Sequence, residues 1–260
     1  MMLYIAATPI GNTQDASPRL RHVLATVDFI LSEDTRKTKG LLHRLGITAP
    51  PLISCNGHNE RTRINRALDE IDRGKVGALV SDAGTPAVSD PGMYIVEEAH
   101  KRGISVVPVP GPSSVLTAVS VAGFATPPMH FLGFPPRKNG KRRHWIQQMS
   151  TLSGCVVMFE AGNRFGRLIS DLQDLMPQRE MCLCRELTKT HQEIVRQKIS
   201  DFAPENLLGE VTMVIGPGEA CRVEEKVDIG IKSVAELLGK EWGITKREAY
   251  NLLMRVKPNS

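Results

Sequence analysis

The chain reads as an α/β protein, with a mostly parallel N-terminal sheet carrying helices on both faces and a mixed-sheet α+β C-terminal half. Three observations predict it. Through residue 123, short apolar runs alternate with helical patterns, and each run ends in small or polar residues. Beyond that point apolar runs succeed one another with little helix between them. The third observation is the stretch Val76 to Gly92. Its apolar run, Val76 to Val80, stops at Ser81-Asp82 and passes through Ala83, Gly84, Thr85 and Pro86 to Ser89-Asp90-Pro91-Gly92. A helical pattern on Ile95, Val96 and Ala99 follows. Strand-to-helix connections are usually about 2–6 residues, so this long small-residue loop is expected to bind something. In open α/β sheets ligands sit at such carboxyl ends of strands.

The elements follow in order. Leu3 to Thr8 is a first strand, ending in the turn cluster Thr8 to Asn12. Ser17-Pro18 supplies an N-cap and a first-turn proline for a helix on Leu20, Val23, Leu24 and Val27. Phe29 to Leu31 begins strand two and runs into Ser32-Glu33-Asp34-Thr35-Arg36. A helix through Leu41, Leu42 and Leu45 stops at Gly46. Leu52 to Cys55 is strand three, followed by Asn56 to Glu60 and a helix on Ile64, Ala67, Leu68 and Ile71 that Gly74 closes. Strand four is Val76 to Val80. Strand five is Ser105 to Val109, with Pro110 to Ser114 leading into a small-residue helix to Ala122.

The second half offers strands at Met129 to Phe134 and Cys155 to Ala161, separated by a basic segment. A helix from Asn163 to Met176 is stopped by Pro177. Strands then fall at Met181 to Leu187, Glu193 to Ile199 and Val211 to Ile215. Two short helical patterns, Val234 to Leu238 and Lys246 to Met254, form a tail. The expected division is residues 1–123, 124–220 and 221–260.

With 260 residues and 41% hydrophobic content, the chain can bury a sizeable core. No run reaches membrane-spanning length, and Met1 to Ile5 lacks the basic and apolar regions of a secretory signal. Five cysteines without CxxC spacing are expected to be reduced thiols, which points to the cytoplasm. The net charge of +5 suits an anionic partner such as RNA. No P-loop, dinucleotide fingerprint, zinc pattern or nucleophile elbow is spelled, so no metal is expected. The turns after the strands offer hydroxyls, carbonyls and carboxylates instead. That rim suits an adenosine-containing ligand bearing a cation.

Six stretches carry a resemblance. They are Thr8-Pro-Ile-Gly-Asn12, Ser32-Glu-Asp-Thr-Arg36, His58-Asn-Glu60, Val80 to Pro86 with Asp90-Pro-Gly92, Val109-Pro-Gly-Pro-Ser113 and Arg185-Glu-Leu-Thr-Lys189. In this order they resemble the ribosomal RNA small subunit methyltransferase I family of the tetrapyrrole methylase superfamily, class III S-adenosylmethionine enzymes. The resemblance spans nearly the whole chain. It implies two α/β lobes with the cofactor in the cleft between them, a homodimer, and 2′-O-methylation of a cytidine ribose in 16S rRNA at the decoding centre. It also implies cofactor contacts from Pro9, Gly11, Asp82, Ala83, Gly84, Thr85, Ser113 and Ser114. By strand position alone, Met158 and Phe159 would line the cleft from the second lobe.

For the transfer itself, Glu33 or Asp34 could accept the hydroxyl proton, while Arg36 could hold a phosphate or orient a carboxylate. Asn12 and His58 follow strands on the same rim. Each has a plainer reading: Asp34 or Thr35 as a helix cap with Arg36 as its surface partner, and His58 as a turn residue. Glu160 with Arg164, and Arg185-Glu186 with Lys189, are further candidates that serve equally as structural ion pairs. Arg137, Lys138, Lys141, Arg142 and Arg143 form a basic loop expected to grip phosphates. Three rivals share parts of this reading: a small-molecule tetrapyrrole methylase, a methylase of a modified histidine in a translation factor, and a non-catalytic RNA-binding scaffold.

Overall fold

The computed structural model describes residues 1–55, 60–124, 128–218, 235, 238 and 243–256. Met1–Pro217 form one compact unit and Gly218–Ser260 a second.

The first unit holds two five-stranded sheets. Strands β1 (Met2–Ala6), β2 (Phe29–Ser32), β3 (Leu52–Ser54), β4 (Val76–Val80) and β5 (Ser105–Val109) are all parallel, in the order β3-β2-β4-β1-β5. Successive side chains of a strand point to opposite faces, and both faces are covered. Helices α1 (Pro18–Thr26) and α2 (Thr35–Arg44) bring Leu20, Leu24, Leu41 and Leu42 against Ile30, Ala78 and Val80. Helices α3 (Glu60–Asp72) and α4 (Met93–Lys101) bring Ile64, Leu68, Ile71 and Ile95 against Leu3, Leu31 and Leu79 on the other face. The chain therefore leaves β1 toward one face and β4 toward the other. The strands are neighbours, so a crevice opens at their carboxyl ends.

The helix boundaries follow from local chemistry. Ser17 Oγ accepts the Leu20 N–H at 3.0 Å, with Pro18 in the first turn of α1. Gly46, in the left-handed region at φ +71°, ends the turn after α2 as a C-terminal glycine does.

The second sheet contains β6 (Met129–Phe131), β7 (Cys155–Ala161), β8 (Glu180–Arg185), β9 (Glu193–Lys198) and β10 (Glu210–Ile215), ordered β6-β7-β10-β8-β9. Only β6 and β7 run parallel, so the sheet is mixed. Helices α6 (Asn139–Ser150) and α7 (Gly162–Leu175) cover one face through Ile146, Met149, Phe165 and Leu168. The other face is covered by α5 (Ser114–Ala122), whose Val115, Ala118 and Ala122 pack on Cys155, Val157, Cys182 and Val214. This helix belongs to the first half by sequence, yet it roofs the second sheet. A single helix thus passes from the edge strand β5 of one sheet to the face of the other.

The basic segment is not the loop the sequence predicts. Residues from Asn139 onward are helical, and Arg142 is buried, donating from Nε to Asp171 Oδ2 at 2.7 Å. Arg143 donates to Asp171 Oδ1 at 2.9 Å and to Asp174 Oδ2 at 2.7 Å. Both acids lie on α7, so Arg142 and Arg143 tie α6 to α7. Arg142 is corrected from a phosphate ligand to a structural pair, and Arg143 is largely committed to the same pair. Arg137, Lys138 and Lys141 remain exposed.

In the second unit, α8 (Lys246–Val256) opens with a reciprocal cap. Thr245 Oγ1 accepts the Glu248 N–H at 3.3 Å, and Glu248 Oε2 accepts the Thr245 N–H at 2.8 Å. The expected helix at Val234 to Leu238 lies, for the most part, outside the described residues.

Removing one partner of a buried, hydrogen-bonded ion pair strands the other charge. Arg142→Ala is expected to lower unfolding free energy by about 3 kcal/mol, and Lys141→Ala to change it by no more than about 0.5 kcal/mol. Urea denaturation of both variants checks the contrast.

Candidate functional site

Three loops meet above the carboxyl ends of β1, β4 and β5, which are neighbours in the sheet. They are tied together by backbone. Thr8 and Gly84 exchange both hydrogen bonds, N–H to O at 2.9 and 3.0 Å. Thr8 Oγ1 donates to the Ser81 carbonyl at 3.3 Å, and Thr85 Oγ1 donates to the Pro112 carbonyl at 3.2 Å. Gly84 must be glycine for its left-handed backbone, φ +80°, and because a side chain there would press on Ile10. Gly111 lies so close to Ala7 that a Cβ would sit 3.1 Å from its carbonyl oxygen. The β4 loop also holds Ala87 and Ser89 at φ 64° and 66°. Left-handed backbone at non-glycine residues costs of order 1 kcal/mol each and collects at ligand sites.

Between these loops and the second sheet lies a cavity of about 400 Å³, in the size range of small-molecule sites. One part of its wall is apolar: Ile10, Val88, Val115, Phe134, Phe159 and Leu187. Phe159 packs edge-on against Phe131 at 4.9 Å and tilted against Phe134 at 5.4 Å. The other part is ionic. Glu33, Asp82, Asp90 and Glu210 line it, with Lys37 and Lys189. Asp82 accepts the Asp34 N–H at 3.1 Å and pairs with Lys37 Nζ at 2.7 Å. Lys189 Nζ bridges Glu186 at 3.0 Å and Glu210 at 2.9 Å.

The charges shape one another. Burial, followed by repulsion from Glu33, pushes the Asp90 carboxyl up to about 6, against a hydrogen bond from Ser81 that lowers it. Burial and the neighbouring Asp82 raise Glu33 as well. The hydrogen bond to Asp82 holds Lys37 above its ordinary value. A site with several carboxylates, two of them reluctant to ionise, favours a cationic guest.

The sequence-predicted residues separate. Asp82, Ala83, Gly84, Thr85, Ser113 and Ser114 line the cavity, as do Glu33 and Phe159. Ser113 also caps α5, accepting the Leu116 N–H at 3.5 Å. Met158 is corrected: it is fully buried on the opposite face of β7, among the α6 and α7 side chains, because neighbours along a strand face opposite ways. Pro9 and Gly11 border an adjoining groove instead of the cavity, and Ile10 between them lines both. Asp34 is the N-cap of α2. It accepts the Arg36 N–H at 2.9 Å and pairs with the Arg36 guanidinium, which holds its carboxyl down to about 2. Asn12 likewise caps a short turn, accepting the Gln14 N–H at 3.0 Å. Glu160 also lines the cavity, with its carboxylate paired to Arg164. His58 lies outside the described residues.

Sequence reasoning gave no role to Asp90, Lys37, Phe134 or Glu210. Asp90 stood inside a quoted motif, and the turn residues around it were its signal. Phe134 stood in a Gly-Phe-Pro-Pro turn. Glu210 carries no local signal, because only the packing of the two sheets brings it to the cavity, and Lys37 comes there through its pair with Asp82 beyond the neighbouring strand.

The residues fit S-adenosylmethionine. Phe134, Phe159 and Val115 offer apolar surface for an adenine, the Ser113 and Ser114 hydroxyls offer polar contacts, and the carboxylates favour a sulfonium and an ammonium.

Residues 2–203 match the family model of the tetrapyrrole (corrin/porphyrin) methylases. The chain is 43% identical over 194 residues to the ribosomal RNA small subunit methyltransferase I of Leptospira biflexa, covering 75% of this chain and 80% of that protein. It is 41% identical to the same-named protein of Thermotoga maritima, over 84% of this chain and 99% of that one. With that of Halalkalibacterium halodurans it shares 34% identity over 96% and 93%. Among solved structures it resembles the methyltransferase CobJ, with TM-score 0.61, 20% identity, and 83% and 94% of the two chains covered. It also resembles a Thermus thermophilus uroporphyrin-III C-methyl transferase complexed with S-adenosyl homocysteine, with TM-score 0.59, 15% identity, and 86% and 100% covered. The chain belongs to the ribosomal RNA small subunit methyltransferase I family, within the tetrapyrrole methylases.

Proposed function

We propose that this protein methylates the 2′-hydroxyl of a cytidine ribose in 16S rRNA, at cytidine 1402, with S-adenosylmethionine as donor. The observation that carries the reading is a cavity joining aromatic surface to a ring of carboxylates, in a chain of this family. It acts in the cytoplasm, as a homodimer, on rRNA or the small ribosomal subunit. Among the described residues no helix is long and apolar enough to cross a membrane.

When bound, S-adenosylmethionine supplies an electrophilic methyl carbon. The chain supplies position and charge. The strained β4 loop and the interlocked β1 and β5 loops hold the cavity walls before any ligand arrives, so little reorganisation is left for the reaction. The cavity residues would hold that carbon toward the ribose hydroxyl, and a rim carboxylate would accept the hydroxyl proton as the oxygen takes the methyl group and the thioether leaves. Glu33 and Asp90 line the cavity and are available for that proton, whereas Asp34 is engaged by Arg36. Exposed Arg137, Lys138 and Lys141 supply phosphate contacts that do not read sequence.

The direct test is mass mapping of 16S rRNA from cells lacking this protein. Loss of the cytidine 2′-O-methyl group is expected, and an unchanged pattern rejects the reading. Removing one carboxylate from an ionic site costs roughly 1.5–3 kcal/mol, so Asp82→Ala is expected to weaken cofactor binding about ten-fold or more. Calorimetry with S-adenosylmethionine measures it. The pH profile has a defined sign. Below pH about 6 Asp90 is neutral and above it anionic. Affinity for the cationic cofactor should rise between pH 5 and 7, more than for S-adenosylhomocysteine, and Asp90→Asn should flatten that limb. Parallel titrations with both molecules decide the point.

A further inference from the structure

The groove that Pro9 and Gly11 border is distinct from the cofactor cavity and has the complementary chemistry. It holds about 540 Å³. The two spaces share Ile10, Lys37, Asp82, Ala83, Lys189 and Glu210. They therefore adjoin along a common rim that carries the Lys37–Asp82 and Lys189–Glu210 ion pairs. The cavity side of that rim carries phenylalanine rings. The groove side carries none and is framed by α2.

The α2 frontage has a pattern. Arg36, Gly40 and Arg44 are four residues apart, which places them on one helical face, and all three line the groove. A glycine inside a helix costs about 1 kcal/mol relative to alanine. Packing gives no return for that cost, because a Cβ at position 40 would meet only the Arg44 guanidinium, at 3.4 Å. The space in front of Gly40 is open groove flanked by two guanidinium groups. Arg36 is turned onto Asp34 with its side chain 90% exposed. Arg44 makes no ion pair among the described residues. A guanidinium is a planar fork matched to phosphate oxygens.

We propose that this groove is the subsite for the RNA nucleotide whose ribose is methylated, with a phosphodiester seated on the Arg36–Gly40–Arg44 face and the sugar at the shared rim. This rests on the proposed function and deepens it. The sugar hydroxyl then faces the methyl donor where the two spaces adjoin, so that the oxygen can reach the methyl carbon directly, as an in-line displacement requires. Lys37, Asp82, Lys189 and Glu210 line both spaces and flank the line of transfer, and Gly40 leaves room for the backbone of the acceptor strand.

The test fills the groove from α2 without touching the cavity. In Gly40→Leu a good helix former replaces a poor one, so the melting temperature should hold or rise, and the affinity for S-adenosylhomocysteine should stay within about two-fold. Methyl transfer to small ribosomal subunits purified from cells lacking this protein should fall about ten-fold or more in kcat/KM. Arg44→Glu is the second variant, decisive if Gly40→Leu does not fold. Its KM for the subunit should rise about ten-fold with kcat largely kept, and Arg44→Lys should recover part of the loss. Wild-type-like methylation by the folded variants overturns the subsite, as does cofactor affinity that falls in step with methylation. If the wild-type protein binds cofactor yet transfers no methyl group to the subunit, the proposed function fails instead, so the two failures are separable.

Discussion

The Thr8–Gly84 backbone pairing holds the site together. It is an isolated two-bond bridge outside either sheet, yet it fixes the first loop to the fourth, and Thr85 then fixes the fourth to the fifth through the Pro112 carbonyl. The residues that permit it are small by necessity. Gly84 supplies the left-handed turn and Gly111 the close approach to Ala7. With these three loops immobilised, every group they carry, from Ile10 to Ser114, has a defined place. The parallel sheet beneath contributes by making the three strands neighbours.

The second consequence of the architecture is electrostatic. Carboxylates from the loop after β2, from the β4 loop and from β10 converge on one cavity, although their carriers belong to two sheets. Such convergence is unfavourable unless it is partly compensated. Lys37 and Lys189 compensate Asp82 and Glu210, while Glu33 and Asp90 are left with raised proton affinity. The molecule therefore keeps an unspent negative potential where a positively charged ligand is expected. It keeps the apolar faces of Phe134 and Phe159 at the other end of the same space.

Most of the fold was legible in the residues. Alternation of apolar runs and helical patterns gave the five parallel strands, and Ser17-Pro18 and Gly46 marked helix ends that the structure places within a residue or two. The loop segments of the cavity were legible for the same local reason: small residues after a strand have few other uses. Three things were hidden. The face on which Met158 points depends on strand register, which its sequence neighbourhood does not fix. The helix of the basic segment depends on Asp171 and Asp174, some thirty residues along the chain. The groove depends on Gly40, a residue that looks like a helix flaw until the void beside it is seen.

Gly11 carries a last implication. A Cβ there would stand 2.5 Å from Lys189 Cγ and 2.7 Å from Thr188 Oγ1, and Asn12 N–H already donates to that hydroxyl at 3.1 Å. Thr188 and Glu186 hold left-handed backbone, at φ 66° and 47°, to complete the contact. The two sheets thus rest on a mechanical stop with no clearance. A methyl group at position 11 would act as a wedge, altering the gap between the sheets while leaving every charged residue in place.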